Sequence, residues 1–506
     1  MADIRSRWTS GDQSVKDQII DEMKARNRTP SAVAVSLQPK DPPRAIGEGH
    51  KQSYPKSYFT HMNKKLDDVP DPSKIGFHIS EKYSVLAFGG LLYVYVATDG
   101  IFREDRGEVD HEIQAILDYI EWEGATLTLR KEVRAYLLAN RVYAEYPFDC
   151  EPGLIPFRKG GAKFNEKIRD WEPAELEREH KFRYRIPVDL NLFAKTKPVD
   201  DLFAEWVDPD DVAVLYQAPA QAILQAMLGQ PYKRAYLFMG KRNSGKSSYF
   251  ELISRAFGRE NMARVSLQAL SSRFSLAPLE GKLLNVYDDL SNFEMRDAGT
   301  FKTLTGACEH QIERKHQTPY TGRITAVHMF SCNEPPKITK ESLDDDAFWG
   351  RWEYIIFPNE FPTDPTFYAR TFTDEFVQAF LTGVLREAGK ILTTHRLQHE
   401  SASWFVRDRW VYATDPIYRF VKEEFQPELG AFLPTEEIYQ RYLLWCDKSK
   451  LTPTNKDWIA RSLPKFGFAK RQVKKVHGYG GYNFKDAAPQ HSSESSQVSF
   501  ASGDGQ

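Results

Sequence analysis

The 506-residue chain has four cysteines, at positions 150, 308, 332 and 446. None forms a CxxC pair, which excludes a disulfide scaffold and a four-cysteine zinc site. The histidines add no metal pattern: HRLQH at 395–399 lacks the glutamate of a zinc-protease helix. Neither charge is in excess, with 68 Lys and Arg against 70 Asp and Glu and a formal net charge of −2. That balance excludes a wholly basic nucleic-acid coat protein and an acidic disordered solvator, but permits a local basic face. Long hydrophobic runs are also missing. The uncharged apolar stretch Tyr83–Thr98 is 16 residues and is broken by Gly89-Gly90. It falls short of the roughly 20 residues of a membrane span and predicts two strands meeting at a glycine turn. The opening MADIRSRWTSGDQ has no apolar signal core, so the expected location is cytoplasmic, without a membrane partner.

What is present is a folded, aromatic-rich composition, with 41% hydrophobic and 13% aromatic residues. The length predicts about three domains. Residues 1–74 form a polar stretch, expected to be a flexible arm with one short amphipathic helix at Val15–Met23. Order is expected from about Ile75, with helices in 109–146 and short strands around GLIPF and YRIPV. A helix at Val212–Leu228 leads into a strand at Ala235–Met239. Strand–helix alternation then continues through Lys246–Phe257, Ala263–Leu267, Leu283–Tyr287, Val327–Ser331 and Tyr354–Phe357, which predicts an α/β layer with a parallel sheet. Helices are expected in 366–425. A small unit at 430–486 ends in a Gly-rich hairpin, HGYGGYNF, and the Ser-rich residues 487–506 are expected to be disordered.

The chemistry centres on Gly240-Lys-Arg-Asn243-Ser244-Gly245-Lys246-Ser247, a full GxxxxGK[ST] match between a predicted strand and a predicted helix. Backbone N–H groups curled by glycines face phosphate oxygens, and the helix N-terminus adds positive potential. Ser248 follows in the first turn. In this role Lys246 reaches the β- and γ-phosphates and Ser247 holds Mg²⁺, so ATP and Mg²⁺ are the expected cofactors. A second apolar run ends in Asp288-Asp289, 42 residues after Lys246. One carboxylate suits Mg²⁺ and the other a water attacking the γ-phosphate; the alternative is a solvated strand end. A third run, VHMFSCN, ends in Asn333, placed either to position that water or to start the turn before Pro335-Pro336. Arg351 lies among aromatics in DDAFWGRW, as a charge for a neighbouring subunit's nucleotide or as a partner of the adjacent aspartates. Arg314, Lys315, His316 and Arg323 lie on an expected hairpin with a basic tip. It suits a nucleic-acid backbone or, more blandly, solvent.

Together these residues resemble superfamily 3 helicases of the AAA+ class. The likeness is to the phage, plasmid and archaeal-virus primase-helicase family related to the satellite-phage replication protein and the poxvirus primase-helicase. It is carried by GKRNSGKS (240–247), SRFSLAPLEGKLLNVYDDLS (272–291), FKTLTGACEHQIERKH (301–316), FSCNEPP (330–336) and DDAFWGRW (345–352), in the family's order within 113 residues. Upstream, EPGLIPFRKGG and RDWEPAE resemble the poxvirus-type N-terminal helicase domain; downstream, 430–486 resembles a winged helix. The implied architecture is an arm (1–74), a mixed α+β collar (75–211), an AAA+ P-loop ATPase (212–365), a helical connector (366–429), a winged helix (430–486) and a tail (487–506). The resemblance implies a homo-hexameric replicative helicase of a virus, phage or plasmid, in a prokaryotic or virus-infected cell. It would move 3′ to 5′ on single-stranded and forked DNA. Lys246 and Ser247 would bind Mg-ATP. Asp288 and Asp289 would supply the acidic motif, Asn333 the sensor, Arg351 the finger in trans, and Lys315 and His316 the DNA grip.

Two departures stand out. The TGGD-like stretch reads Thr305-Gly306-Ala307-Cys308-Glu309 and lacks the second glycine. The polar arm is too short for a polymerising primase domain, so a separate primase or polymerase is the candidate partner. At the other end, residues 461–485 hold seven Lys and Arg and no Asp or Glu. Lys470, Arg471, Lys474 and Lys475 are the expected phosphate contacts of a glycine-tipped wing, a protein-docking wing being the alternative. A replication initiator that melts origins without sustained unwinding is the second functional reading.

Overall fold

Five runs of apolar residues form one parallel sheet. In a computed structural model, which describes residues 54–486 apart from 64–66, 150, 292 and 296–297, its strands lie in the order Met262–Ala263, Leu284–Tyr287, Val327–Cys332, Ala235–Gly240, Trp352–Phe357. Every neighbouring pair is parallel. A sheet covered on both faces needs apolar side chains on both sides of each strand. Val327–Cys332 is accordingly buried at all six positions. The helix Val212–Leu228 is buried from Val214 through Met227. Its glutamines are bonded internally: Gln221 donates to the carbonyl of Arg234 at 2.9 Å and Gln225 to that of Thr325 at 2.9 Å. Gly229, at φ 62°, ends it in the left-handed conformation that glycine adopts without strain.

The chain divides at Val406/Arg407 into two compact units. In the first, an antiparallel sheet of Val85–Phe88, Leu91–Val96 and Ile101–Glu104 turns at Gly89-Gly90, as the sequence predicts. It shares a core with the helices Pro72–Lys82, Glu108–Tyr119 and Leu127–Asn140. A second antiparallel sheet, Leu154–Pro156, Gly161–Asn165 and Asp170–Ala174, belongs elsewhere. Ile155, Phe157, Trp171 and Ile186 share the core of the parallel sheet, and the Trp171 indole donates to the Leu385 carbonyl at 2.7 Å.

Several expected boundaries move. The arm does not run to 74: Thr60–Met62 pairs with Asp68–Pro70, and Phe59 is buried with Ile75 and Ile79. The expected Val15–Met23 helix and the 487–506 tail lie outside the described residues. The proposed collar boundary at 211/212 cuts through a shared core. The expected connector, 366–429, is split: Asp374–Thr394 packs on Val212–Leu228 and Lys246–Phe257, whereas Ile417, Phe420 and Val421 belong to the core of the second unit.

That second unit runs helix Pro416–Glu424, strand Phe425–Pro434, helix Thr435–Lys448, helix Lys456–Ser462, then strands Ala469–Val473 and Val476–Phe484. The long last strand sits between the other two. The glycine-rich HGYGGYNF is therefore strand, and the hairpin tip is Lys474-Lys475, at φ 48° and 67°. Gly478 serves close packing, since a Cβ there would run into the Leu433 carbonyl.

Candidate functional site

The Ala235–Gly240 strand stops at a glycine because a Cβ there would lie 2.6 Å from the Phe357 carbonyl oxygen. The chain then turns through Asn243 at φ 58° and Gly245 at φ 101° into the Lys246–Phe257 helix. A Cβ on Gly245 would meet the Trp206 ring at 2.9 Å. Inside the turn, the buried Lys246 Nζ donates to the carbonyls of Gly240 at 2.6 Å and Lys241 at 2.7 Å. Ser244 Oγ lies 3.3 Å from it and Asn333 Oδ1 3.4 Å. Burial holds this ammonium below the ordinary lysine value, opposed by Asp288 and Asp289. Ser247 is exposed and Ser248 half-buried on the first helical turn. The following segment laps the loop: Phe361 N donates to the Asn243 carbonyl at 2.8 Å, and Lys241 pairs with Glu360 at 2.7 Å.

The carboxylates arrive from two strands away. Leu284–Tyr287 delivers Asp288 and Asp289, and the intervening Val327–Cys332 strand delivers Asn333. Ser331, fully buried on that strand, donates to Asp288 Oδ1 and accepts from the Asp289 N–H at 2.9 Å. Asn333 Nδ2 donates to Asp289 Oδ1 at 3.4 Å. Asn333 therefore touches both the lysine and the acid, and Lys246, Asp288, Asp289 and Asn333 meet at the carboxyl end of the sheet, where ligands of parallel sheets bind. The donor set suits a polyphosphate with a divalent cation: an ammonium, helix N–H groups, an exposed hydroxyl and two carboxylates. Sequence inspection had passed over Ser331, a lone hydroxyl in an apolar run, and Trp206, which supports the loop from a distant helix.

Arg351 is elsewhere. Trp352 pairs with Ala235 and Phe357 with Gly240, so Arg351 is at the amino end of the sheet. About 16 Å of strand separates it from the loop. Asp345, the nearest of the adjacent aspartates in its electrostatics, is engaged elsewhere. Asp345 takes Lys302 at 2.5 Å and caps the next helix through Phe348 N at 3.1 Å. Burial and Arg234 both disfavour the Arg351 charge, opposed by Asp345, and its Nε is buried without a hydrogen-bond partner among the described residues. Gly306, the glycine retained in the TGGD-like stretch, gives it room, since a Cβ there would lie 3.3 Å from Arg351 Nη2.

The expected basic hairpin forms, with Glu309–Ile312 antiparallel to Tyr320–Arg323. Lys315 and His316 are exposed at its tip, His316 at φ 63°. The two arginines are not part of that exposed tip. Arg314 donates to both oxygens of Glu104 at 2.9 Å and to Glu280 at 3.1 Å, and Arg323 stacks on Tyr146 at 4.6 Å. Counting all four as free cations was an error of sequence reasoning, because the compensating groups are far away in the chain. In the second unit Lys470, Arg471, Lys474 and Lys475 are all exposed.

Comparison with known proteins follows this division. Residues 413–490 match the family described as Poxvirus D5 protein-like. Residues 238–351, which hold the loop, both aspartates, Asn333 and Arg351, match a family of unknown function, DUF5906. No curated protein matches the chain. Among solved structures, two apo forms of the NrS-1 C terminal region align with it. One is 14% identical with a TM-score of 0.40, covering 81% of this chain and 98% of its own. The other is 13% identical with a TM-score of 0.39, covering 81% and 99%. Among the described residues no helix is long and apolar enough to cross a membrane.

Proposed function

We propose that the chain is an ATP-driven DNA helicase of superfamily 3, AAA+ type, acting as a ring in the replication of a virus, phage or plasmid. The carrying observation is the polarity of the sheet. Lys246, Asp288, Asp289 and Asn333 gather at its carboxyl end, while Arg351 lies at its amino end. An arginine that its own loop cannot reach, with its charge poorly compensated in its own chain, fits a finger for the next subunit. The strand order, in which Val327–Cys332 separates the acidic strand from the loop strand, supports the AAA+ P-loop reading. The helix–strand–helix–helix–hairpin order of the second unit supports a winged helix, as does its match to the poxvirus D5-like family.

In this reading ATP with Mg²⁺ supplies the phosphoanhydride whose hydrolysis drives movement. Lys246 and the loop N–H groups would hold phosphates, while Ser247 and Asp288 would hold the cation. Asp289 Oδ1, which accepts from the Asn333 amide, would take a proton from an attacking water. Lys315 and His316 meet single-stranded DNA, and the wing lysines meet duplex phosphate. The test is ATP hydrolysis with and without oligonucleotide, together with displacement of a strand annealed to a 3′-tailed template; Lys246→Ala abolishes both. A chain that hydrolyses ATP and binds DNA but displaces no strand with either tail polarity would instead be an initiator.

A further inference from the structure

The first unit contains a buried ionic cluster that the nucleotide chemistry does not use. Glu280, with its side chain fully buried, lies on the turn before the acidic strand, eight residues ahead of Asp288. Its Oε2 accepts from Arg314 at 3.1 Å and from the Tyr320 hydroxyl at 2.6 Å. Those two residues begin and end the segment that carries the hairpin tip, Lys315 and His316. One carboxylate therefore grips both ends of the tip. On its other side, Glu280 Oε1 lies 3.7 Å from Arg183, whose guanidinium stacks over Tyr93 at 4.8 Å and Phe148 at 5.0 Å.

The same residues reach the N-terminal sheet. Arg314 is bidentate to Glu104, at the end of the Ile101–Glu104 strand. The Tyr320 ring fills the space over Gly89, where a Cβ would collide with it, and meets Phe88 edge-on at 6.1 Å. Arg323 stacks on Tyr146 at the hairpin's base. Two carboxylates, Glu104 and Glu280, balance two guanidiniums, Arg183 and Arg314. Glu280 and Arg183 are the buried pair of this quartet and Arg314 and Glu104 its partly exposed rim, so removing Glu280 leaves buried charge uncompensated.

We propose that Glu280 is a positioning residue: through Arg314 and Tyr320 it locks the 309–323 hairpin to the N-terminal sheet and to the segment feeding Asp288, so that force on the hairpin tip reaches the nucleotide site. Arg314 is thereby a brace and not a DNA contact. The coupling to nucleotide rests on the function proposed above; the brace does not.

Tyr320→Phe removes one hydroxyl and keeps the ring over Gly89, so it tests the brace with little risk to folding. Hydrogen exchange is read first, without nucleotide or DNA. Exchange is expected to rise by about tenfold in both the 309–323 hairpin and the Leu284–Tyr287 strand, with Trp352–Phe357 unchanged. A rise confined to the hairpin, or none at all, overturns the brace whatever the chain's activity. ATP turnover is read second, with and without a single-stranded oligonucleotide. Tyr320→Phe and Glu280→Gln are expected to lose about tenfold in DNA stimulation, with DNA-free turnover and oligonucleotide Kd (by anisotropy) each within about twofold of wild type. Lys315→Ala weakens Kd instead. Full stimulation in both brace variants overturns the coupling. A wild-type chain that neither hydrolyses ATP nor binds the oligonucleotide overturns the function proposed above and its coupling claim, and leaves hydrogen exchange as the sole judge of the brace.

Discussion

Ser331→Ala is the substitution that separates support of the site from its chemistry. Ser331 Oγ donates to the Asp288 carboxylate and accepts from the Asp289 N–H at 2.9 Å, while its own carbonyl takes the Leu290 N–H at 2.8 Å. Alanine keeps the last bond and deletes the other two. A hydrogen bond to a charged group is worth about 1.5–3 kcal/mol and a neutral one about 1, so the acidic turn loses about 3 kcal/mol of local stabilisation. No cavity of consequence opens, because only a hydroxyl is removed. Local opening at the Asp289 amide should become on the order of 100-fold easier. The freed Asp288 carboxylate should also drift from its cation-binding position, and misplacement by about 1 Å lowers turnover by about 100-fold. Amide exchange at Asp289 and Leu290 measures the first effect; single-turnover ATP hydrolysis at saturating Mg²⁺ measures the second. Wild-type exchange together with wild-type turnover would refute the argument that Ser331 holds the acidic pair. Slow hydrolysis with unchanged exchange would mean the hydroxyl acts on the reaction and not on the turn.

Three further outcomes are expected. Gly245→Ala places a methyl against the Trp206 ring at a residue with φ 101°; nucleotide binding by filter or calorimetric assay should be lost, while the exchange protection of the N-terminal sheet survives. Burial pushes the Asp149 carboxyl up to about 6 despite Arg183 and Arg323. The folded chain therefore holds that proton more tightly than the unfolded one. The contribution is fully present below about pH 4 and is lost as pH rises through about 6, a difference of about 3 kcal/mol. Asp149→Asn should flatten that limb of the stability–pH curve, measured by urea unfolding at pH 4.5 and 7.5. Lys474→Asn with Lys475→Gly relieves two left-handed lysines, which should stabilise the second unit by about 1 kcal/mol. It should also weaken duplex binding and reduce the salt dependence by about two phosphate contacts; unchanged salt dependence would remove the wing tip from the DNA interface.

The sequence made visible what local pattern controls. The helices Val212–Leu228 and Lys246–Phe257 end where Gly229 and Gly258 allow a positive φ, and the Gly89-Gly90 turn forms where two alternating runs meet. The loop, the acidic pair and Asn333 were legible because each closes an apolar strand. Pairings across long sequence distances were not legible. Arg314 looks like one of several cations in IERKH, yet its partner Glu104 is 210 residues away. The segment before Ile75 looks like solvated linker because its apolar residues are few, but Phe59 supplies an anchor among Ile75, Ile79 and Tyr83, with Tyr58 packed beside it. The tip of the last hairpin is misplaced by the sequence pattern for a different reason. Glycine was taken as the sign of a turn, whereas Gly478 serves the close approach of strands and the turn falls on two lysines.

That misplacement bears on function. Residues without glycine's freedom are held in left-handed geometry only where the surroundings enforce it, and such positions concentrate at sites that bind or act. Two exposed tips proposed to meet DNA have that geometry, His316 beside Lys315 and Lys474 with Lys475, and the exposed cations Arg169, Lys233 and Lys450 share it. An asparagine–glycine pair would form the two-residue Lys474-Lys475 turn with less strain. A turn that keeps its charge and forgoes the easier geometry is what a phosphate-contacting tip requires. The basic residues that solve a folding problem, Arg183, Arg314 and Arg323, are instead engaged in ion pairs or ring stacks in the first unit. Strain and exposure do not by themselves mark a DNA contact, since Arg169, Lys233 and Lys450 combine both; what removes Arg183, Arg314 and Arg323 from that role is that their guanidiniums are already paired or stacked within the first unit.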